Sequence, residues 1–398
     1  MPKVVKDIEL TNLPDVIDNL QSYDGAFCLL RYYSKPVGKV ILPAKDGKIV
    51  LKDHLEKIKA AVKKDWEKAV LQHFLSPGEE GESQHKTVPV SIAVCTRNRT
   101  DDLKDCLDAL MRLPHRGQEI IVIDNAPSTN DTKNLVAQYP SVRYILEERK
   151  GLDIARNRAI AEASNDIVAF TDDDALVDAN WLDALARHFE DPIVMCVTGM
   201  TMPLELETEA QEAFENYNPF GKGFSKKKFS ISKDDPLNVG SIGAGANMAL
   251  RKTCMAETGW FDEALDAGTI TQSGGDHEFF ARILLAGYYI IYDPEALSWH
   301  RHRRTWKEAT KAMHGYGVGV YAFWTRLLFK EKQYSILRLP GIWLLSHQLP
   351  NLYKWFLKRN KDYPLSFILA ELQGCLKGPF TYFKSRKQLN KSFKNQNG

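Results

Sequence analysis

Ile167-Val168-Ala169-Phe170-Thr171-Asp172-Asp173-Asp174 joins an apolar run to three consecutive carboxylates. Like charges side by side at the mouth of a strand repel one another, and the repulsion is costly unless a cation offsets it. The stretch therefore reads as a strand that ends at a metal site. In an extended exit Asp172 and Asp174 point to one face and Asp173 to the other. The first two thus suit a hard divalent cation such as Mg²⁺ or Mn²⁺. The plainer alternative is an Asp-rich turn capping a helix that starts near Asn180.

Upstream, apolar runs at residues 90–95, 119–123 and 142–146 alternate with helical periodicity at 101–113, 132–138 and 153–163. Thr100 or Asp101 is suited to cap the first of these helices. Strand and helix in alternation predict a parallel sheet covered by helices. In such sheets ligands bind outside the carboxyl ends of the strands. The polar clusters at 96–99, 124–128 and 172–174 all fall on that edge.

The flanks read differently. Residues 1–75 form a small α+β module of their own, with strand candidates at 25–33 and 39–42, a turn at Asp46-Gly47 and a helix over 55–74. Residues 76–87, with Pro77, Gly78 and Gly81 among charges, read as a linker. A second domain spans 88–304, and 305–398 is a helical extension rich in aromatic and basic residues. With 398 residues, 44% hydrophobic and 26% charged, the composition is that of an ordinary globular chain. The net charge of +2 conceals an asymmetry, because residues 331–398 hold 12 Lys or Arg against 3 Asp or Glu. Aromatic and basic residues together suit an anionic membrane surface, and a helical cap with a solvated tail accounts for the same composition. The modest pI of 8.1 and the acidic remainder argue against nucleic acid as a partner.

Six cysteines in no C-x-x-C pair point to reduced thiols and a cytoplasmic location, and argue against a zinc knuckle. The charged first ten residues carry no readable secretory signal. The longest apolar approach, 337–349, is broken by Arg338, Pro340, Ser346 and His347, so no transmembrane span is expected.

V-S-I-A-V-C-T-R-N-R, I-I-V-I-D-N-A, G-L-D-I-A-R-N-R-A and V-A-F-T-D-D-D, in this order and spacing, resemble the nucleotide-sugar half of an inverting family 2 glycosyltransferase. The likeness runs from about Val88 to Arg303. It implies a GT-A fold, a Rossmann-like mixed sheet flanked by helices, with a divalent metal, a nucleotide-sugar donor and an acceptor.

The same resemblance implies roles for single residues. Asp174 would ligate the metal, His300 would complete the site, and Asp172 would hold the ribose or a metal-bound water. His302, close to His300, is a second candidate ligand. Asp124 and Asn125 stand where the base is met, and a side-chain carbonyl there accepts the imide N–H of uracil or thymine. Asn125 takes the place of a second Asp, and Arg97 that of an aromatic residue. Thr96 would face the nucleotide, and Gly151, Arg156 and Asn157 would form a loop-to-helix element beside it. Asp173 goes with the donor side as the carboxylate of the three that serves structure. Gly245 and Asn247, in the small-residue stretch 239–249, would lie beneath the donor sugar, unless that stretch is a purely structural turn. Asp276 matches the Asp of the family's Glu-Asp motif and would be the catalytic base, although it also reads as the N-cap of a helix over 277–285. Gly275 stands where the Glu often is, so a second acidic role falls to Glu278 or is missing. The arginines at 301, 303 and 304 could meet the diphosphate.

The expected function is metal-dependent transfer of one sugar, with inversion, from a nucleotide-sugar, UDP-linked by preference, to a saccharide or lipid-linked hydroxyl. The Q-x-x-R-W signature of processive synthases is absent, which favours single transfers. A nucleotidyltransferase and a non-catalytic nucleotide-sugar-binding module are the competing classes.

Overall fold

The computed structural model describes residues 2–75, 88–357 and 364–396. The expected linker at 76–87 lies outside them. Among the described residues the chain begins with β1 (Lys3–Glu9), β2 (Val16–Ile17), β3 (Gly25–Tyr32), β4 (Lys35–Pro43), β5 (Ile49–Val50) and α1 (Leu55–Leu75). A three-stranded sheet of order β1-β3-β4 forms the body of this part. Its central strand β3 is buried on both faces, and period-2 alternation divides its side chains. Ala26, Cys28 and Leu30 pack with Ile58 and Val62 of α1, whereas Phe27 and Leu29 enter the core of the larger sheet. Ion pairs from Lys39 to Glu215 (2.9 Å) and from Arg31 to Asp178 (2.6 Å) join the two parts as well.

The larger sheet is built from β6 (Val90–Thr96), α2 (Thr100–Met111), β7 (Glu119–Asn125), α3 (Asp131–Val136), β8 (Val142–Glu147), α4 (Leu152–Glu162), β9 (Ile167–Asp172), β10 (Ala175–Val177), α5 (Trp181–Ala186) and β11 (Val194–Pro203). It continues through α6 (Glu209–Tyr217), β12 (Lys227–Phe229), β13 (Asn247–Arg251), α7 (Cys254–Thr258), α8 (Gly275–Leu285) and β14 (Tyr289–His300). Strand order is β10-β14-β11-β13-β9-β6-β7-β8, with β12 on β14. β8, β7, β6, β9, β11 and β14 run parallel, while β13, inserted between β9 and β11, runs against them. Alternation again decides the packing: Ala93, Ile121 and Phe170 face one core, and Ile92, Val122 and Ala169 face the other, with Leu107 and Trp181. The carboxyl ends of β6, β7, β9 and β14 place Thr96, Asp124, Asp172 and His300 on one edge.

Two capping expectations need correction. Arg99, not Thr100 or Asp101, stands at the N-cap of α2, and no side chain caps it. α5 starts at Trp181 behind Asn180, whose N–H bonds Asp178, so the acidic triplet caps nothing there.

α9 (Trp306–Lys330), α10 (Leu339–Trp343), α11 (Leu349–Phe356) and α12 (Leu365–Gln396) complete the chain. α9 and α12 lie so close that a Cβ on Gly317 would meet the Glu371 carbonyl oxygen at 2.1 Å, and one on Gly374 the His314 oxygen at 2.2 Å. Glycine permits that approach. Phe323, Leu327 and Tyr382 from these helices share the core with Phe279 and Ile283 of α8. Asp262 fastens the arrangement, with Arg326 at 3.2 Å, Arg386 at 2.9 Å and the Tyr382 hydroxyl donating at 3.0 Å. Burial pushes its carboxyl up, but these cations and Lys330 outweigh burial and hold it below the usual carboxylate range. Removing one partner of a buried ion pair leaves the other charge uncompensated. Asp262→Ala is therefore expected to cost about 3 kcal/mol, read as a lower urea midpoint at unchanged slope.

Candidate active site

β9 ends at Asp172, and β10 begins at Ala175. β10 pairs antiparallel with the end of β14, in a register that opposes Ala175 to His300, and the Arg301 N–H donates to the Asp174 carbonyl at 3.0 Å. This ladder brings the histidine beside the triplet. Asp172, Asp174 and His300 each offer one ligand atom, all within 4.8 Å of one another. Asp174 Oδ1 lies 3.1 Å from His300 Nε2, and Asp174 Oδ2 accepts from Arg99 at 2.8 Å. Burial pushes the Asp174 carboxyl up, but His300, Arg99 and Arg303 outweigh it and hold the group far below the usual range. It is thus an anion, as a ligand must be.

The residues fit a divalent ion. Asp174 Oδ1 is buried and faces only His300 Nε2, without a well-aligned hydrogen bond, so it keeps lone-pair capacity for a cation. Two carboxylates and an imidazole are donors that Mn²⁺ accepts. His302 does not join them. β14 ends at His300, and His302 is buried against Glu215 at 3.2 Å.

The structure corrects the donor-side expectation for Asp173. Thr96 Oγ1 donates to its Oδ2 at 2.7 Å and Arg99 to its Oδ1 at 2.6 Å, so both oxygens and the Thr96 hydroxyl are engaged within the protein. Burial and the adjacent Asp174 push Asp173 up to about 7. Arg97 is exposed and donates to the Ala126 carbonyl at 3.1 Å, at the mouth between β6 and β7.

At the end of β7 the two expected base contacts differ. Asn125 donates to the Arg149 carbonyl at 2.7 Å and accepts from the Gly151 N–H at 2.9 Å, so it holds the loop before α4, with one lone pair of its carbonyl oxygen already engaged. Asp124 accepts from the Tyr144 hydroxyl at 2.9 Å, and its other oxygen, Oδ1, is buried without a hydrogen bond. Both residues of the pair keep some acceptor capacity, with Asp124 the more deeply buried.

Arg156 is a second correction. It is buried, and its Nη1 lies 2.9 Å from Asp153 and 2.7 Å from Asp266. It supports the site from below, and its charge acts on both Asp276 and Asp172. Asn157 bonds Phe261 through both backbone groups, which is a structural use.

Asp276 is not the N-cap. α8 begins at Gly275, with Gly274 at the cap position at a φ of 98°. The Asp276 carboxylate accepts from the Gly245 N–H at 2.7 Å and from the His277 N–H at 2.7 Å. Burial raises its pKa, but His277, Arg156 and those two N–H groups outweigh burial, and the net shift is downward. Gly245 thus holds the carboxylate. A Cβ on it would meet Arg156 Nη2 at 2.5 Å and Asp276 Cβ at 3.0 Å. Small displacements of a reacting group are expensive, about 100-fold for 1 Å. Gly245→Ala is accordingly expected to lower kcat by at least about tenfold, in steady-state kinetics with a smaller change in donor KM.

Asn247 and Glu278 are used by the fold. Asn247 is fully buried, donating to the carbonyls of Met200 (3.0 Å) and Ala296 (2.8 Å) and accepting from Trp181 Nε1 at 2.8 Å. It ties β13 to β11 and β14 and has nothing left for a sugar. Glu278 is fully buried between Arg282 (2.7 Å) and Arg326 (2.7 Å) and faces the helical side.

Residues 91–254 match the profile described as Glycosyl transferase family 2. The chain carries a glycosyl transferase family 2 domain. Its mixed sheet with helices on both faces is of the GT-A class. The chain is 26% identical over 276 residues to the pre-mycofactocin glycosyltransferase of Mycobacterium tuberculosis (strain CDC 1551 / Oshkosh), covering 68% of this chain and 53% of the relative. It thus spans about half the length of that relative. The O-antigen chain rhamnosyltransferase RfbN of Salmonella typhimurium is 25% identical, over 58% of this chain and 71% of its own. Among solved structures, the mannosyltransferase PcManGT from Pyrobaculum calidifontis in complex with GDP-Man and Mn²⁺ aligns at a TM-score of 0.45 with 16% identity, covering 81% of this chain and 82% of that one.

Sequence reasoning missed three groups around this site. Arg99 bridges Asp173 and Asp174, and a cation just past the end of β6, opposite an acidic triplet, was the available signal. Asp153 lies against the backbone of Gly275, the position where the motif acid is lacking. A Cβ on Gly275 would fall 1.9 Å from its Oδ2, which is buried and makes no hydrogen bond. A charged residue on the buried face of α4 marked it. Tyr316 of α9 lies within electrostatic reach of Arg303, Asp276 and Asp172, and nothing local in the sequence tied that helix to the site.

Proposed function

We propose that this chain is a metal-dependent inverting glycosyltransferase that moves one sugar from a nucleotide-sugar to an acceptor hydroxyl. The observation that carries the reading is the Asp172, Asp174 and His300 cluster on the strand edge, with an ionised Asp276 held by the Gly245 N–H and sharing with Asp172 the field of the buried Arg156.

Asp276 takes the proton of the acceptor hydroxyl as its oxygen bonds the anomeric carbon. The bond from that carbon to the phosphate oxygen breaks on the opposite face, and the nucleoside diphosphate departs with the electron pair. A divalent ion held by Asp174, Asp172 and His300 would supply electrostatic stabilisation of the departing diphosphate. Arg303, half-exposed and 3.7 Å from Asp174, is placed to add positive charge there. Asp124 Oδ1 supports recognition of an imide N–H, hence a UDP-linked donor.

The acceptor is a saccharide or lipid-linked hydroxyl of polysaccharide or glycolipid assembly, the class of work named for the O-antigen relative. The six unpaired cysteines support a reducing, cytoplasmic setting. The domain division into 1–75, 88–304 and 305–398 is part of this reading, with the second segment carrying the chemistry.

Incubation with a panel of nucleotide-sugars and Mn²⁺ or Mg²⁺ should release nucleoside diphosphate. Release of pyrophosphate from a nucleoside triphosphate and a sugar phosphate would replace this reading with nucleotidyl transfer. Donor binding without turnover would leave a binding module.

A further inference from the structure

The helical run from α10 to α11 is inside out. Ile342, Leu345, Leu349, Tyr353 and Phe356 recur at the three- and four-residue spacing of one helix face, and each is 45–75% exposed. Two polar residues of the same run point inward. Gln348 is fully buried and donates to Glu371 at 2.6 Å, and Asn351 is buried beside it. Glu371 also accepts from the Tyr217 hydroxyl at 2.5 Å, so the polar side is fixed to the body and the apolar side cannot rotate in.

α12 repeats the pattern on its outer face. Its glycines Gly374 and Gly378 press on α9, whereas Leu376, Phe380 and Phe383 are 78%, 79% and 49% exposed. Exposed Lys377, Lys384 and Lys387 alternate with them. Phe383 meets Phe329 from the end of α9, with ring centroids 5.2 Å apart.

Apolar surface on this scale marks an interaction site. Charge selects the occupant. The segment from 331 onward carries 12 basic and 3 acidic residues, and exposed aromatic side chains with flanking lysines match the boundary between headgroups and acyl chains. Among the described residues no helix is long and apolar enough to cross a membrane, so contact would be peripheral.

We propose that α10, α11 and the outer face of α12 dock on the surface of an anionic bilayer. A lipid-linked acceptor would then be presented to the chain at the surface it rests on. Vesicle binding is read without turnover, so this surface and the glycosyl-transfer reading fail separately.

The test is co-sedimentation of the full chain with phosphatidylcholine vesicles, with and without about 30% phosphatidylglycerol. Binding is expected to the anionic vesicles, at least about tenfold weaker at high salt, and near background on phosphatidylcholine alone. Leu345→Glu with Phe356→Glu should lower binding at least about tenfold with an unchanged circular dichroism spectrum. Lys377→Glu with Lys384→Glu should abolish the salt-sensitive part, and this pair decides the matter if the first does not fold. Absence of binding at low salt, or wild-type binding by the substituted chains, overturns the proposal. So does a wild-type dimer that Leu345→Glu with Phe356→Glu turns into a monomer, because the face would then belong to a second copy.

Discussion

Asp276→Asn is expected to lower sugar transfer about 10³-fold while leaving metal-dependent donor binding within about threefold of the wild type. The substitution keeps the volume of the side chain and removes its basicity. The carboxylate accepts two N–H bonds, from Gly245 and His277, both at 2.7 Å. An amide accepts through its oxygen alone, so its NH₂ faces one of those donors and the side chain turns slightly. The loss should appear in kcat, since a base works only as the acceptor proton leaves. Titration calorimetry with the donor and Mn²⁺ checks the binding half, and initial rates check the other. Near-normal turnover would remove Asp276 from the role of base.

Asp174→Ala acts at the other end of the cleft. The wild-type carboxylate is surrounded by His300 at 3.1 Å, Arg99 at 2.8 Å and Arg303 at 3.7 Å. Without it, three positively charged or chargeable groups face the place a cation would take, and one of three ligand atoms is gone. Metal-dependent donor binding is expected to fall at least about 100-fold, to the level the wild type shows in chelator. Asp173→Asn is the matched control, because that carboxylate is spent on Thr96 and Arg99. Retained metal dependence in Asp174→Ala would move the ion elsewhere.

The sheet was legible because its strands are short apolar runs closed by polar residues, and period-2 alternation sorts their side chains between two cores. Asp172 and Asp174 were legible for an electrostatic reason that needs no partner in view. His300 followed from its distance after Asp276. The residues assigned by motif alone fared differently. Asn125, Asn247, Arg156 and Glu278 occupy the expected strand ends and helices, yet each is bonded within the protein. A motif fixes where a residue stands but not whether a neighbour has already taken its hydrogen bonds. Some of those neighbours are local, Arg282 four residues after Glu278 and Asp153 three before Arg156, but Asp266, Ala296 and Arg326 come from distant parts of the chain, where no local pattern marks them. Asp153 escaped for the same reason, since its relation to Gly275 exists only once α4 and α8 meet.

The placement of β13 and β14 bears on how the chain reaches this state. β13 is wedged between β9 and β11, and β14 lies between β10 and β11, so the middle of the sheet closes only after strands remote in sequence have come in. Contacts of such long range are slow to form, because loop-closure entropy is lost before they repay it. Until β14 arrives, the ladder that sets His300 against Ala175 is missing, and the three carboxylates have only Thr96 and Arg99, from the β6 side, to face. The triplet is thus assembled by the chain itself, whereas His300 joins it only when β14 docks. Building the site from distant strands carries a kinetic cost, since its histidine depends on a pairing of long sequence separation.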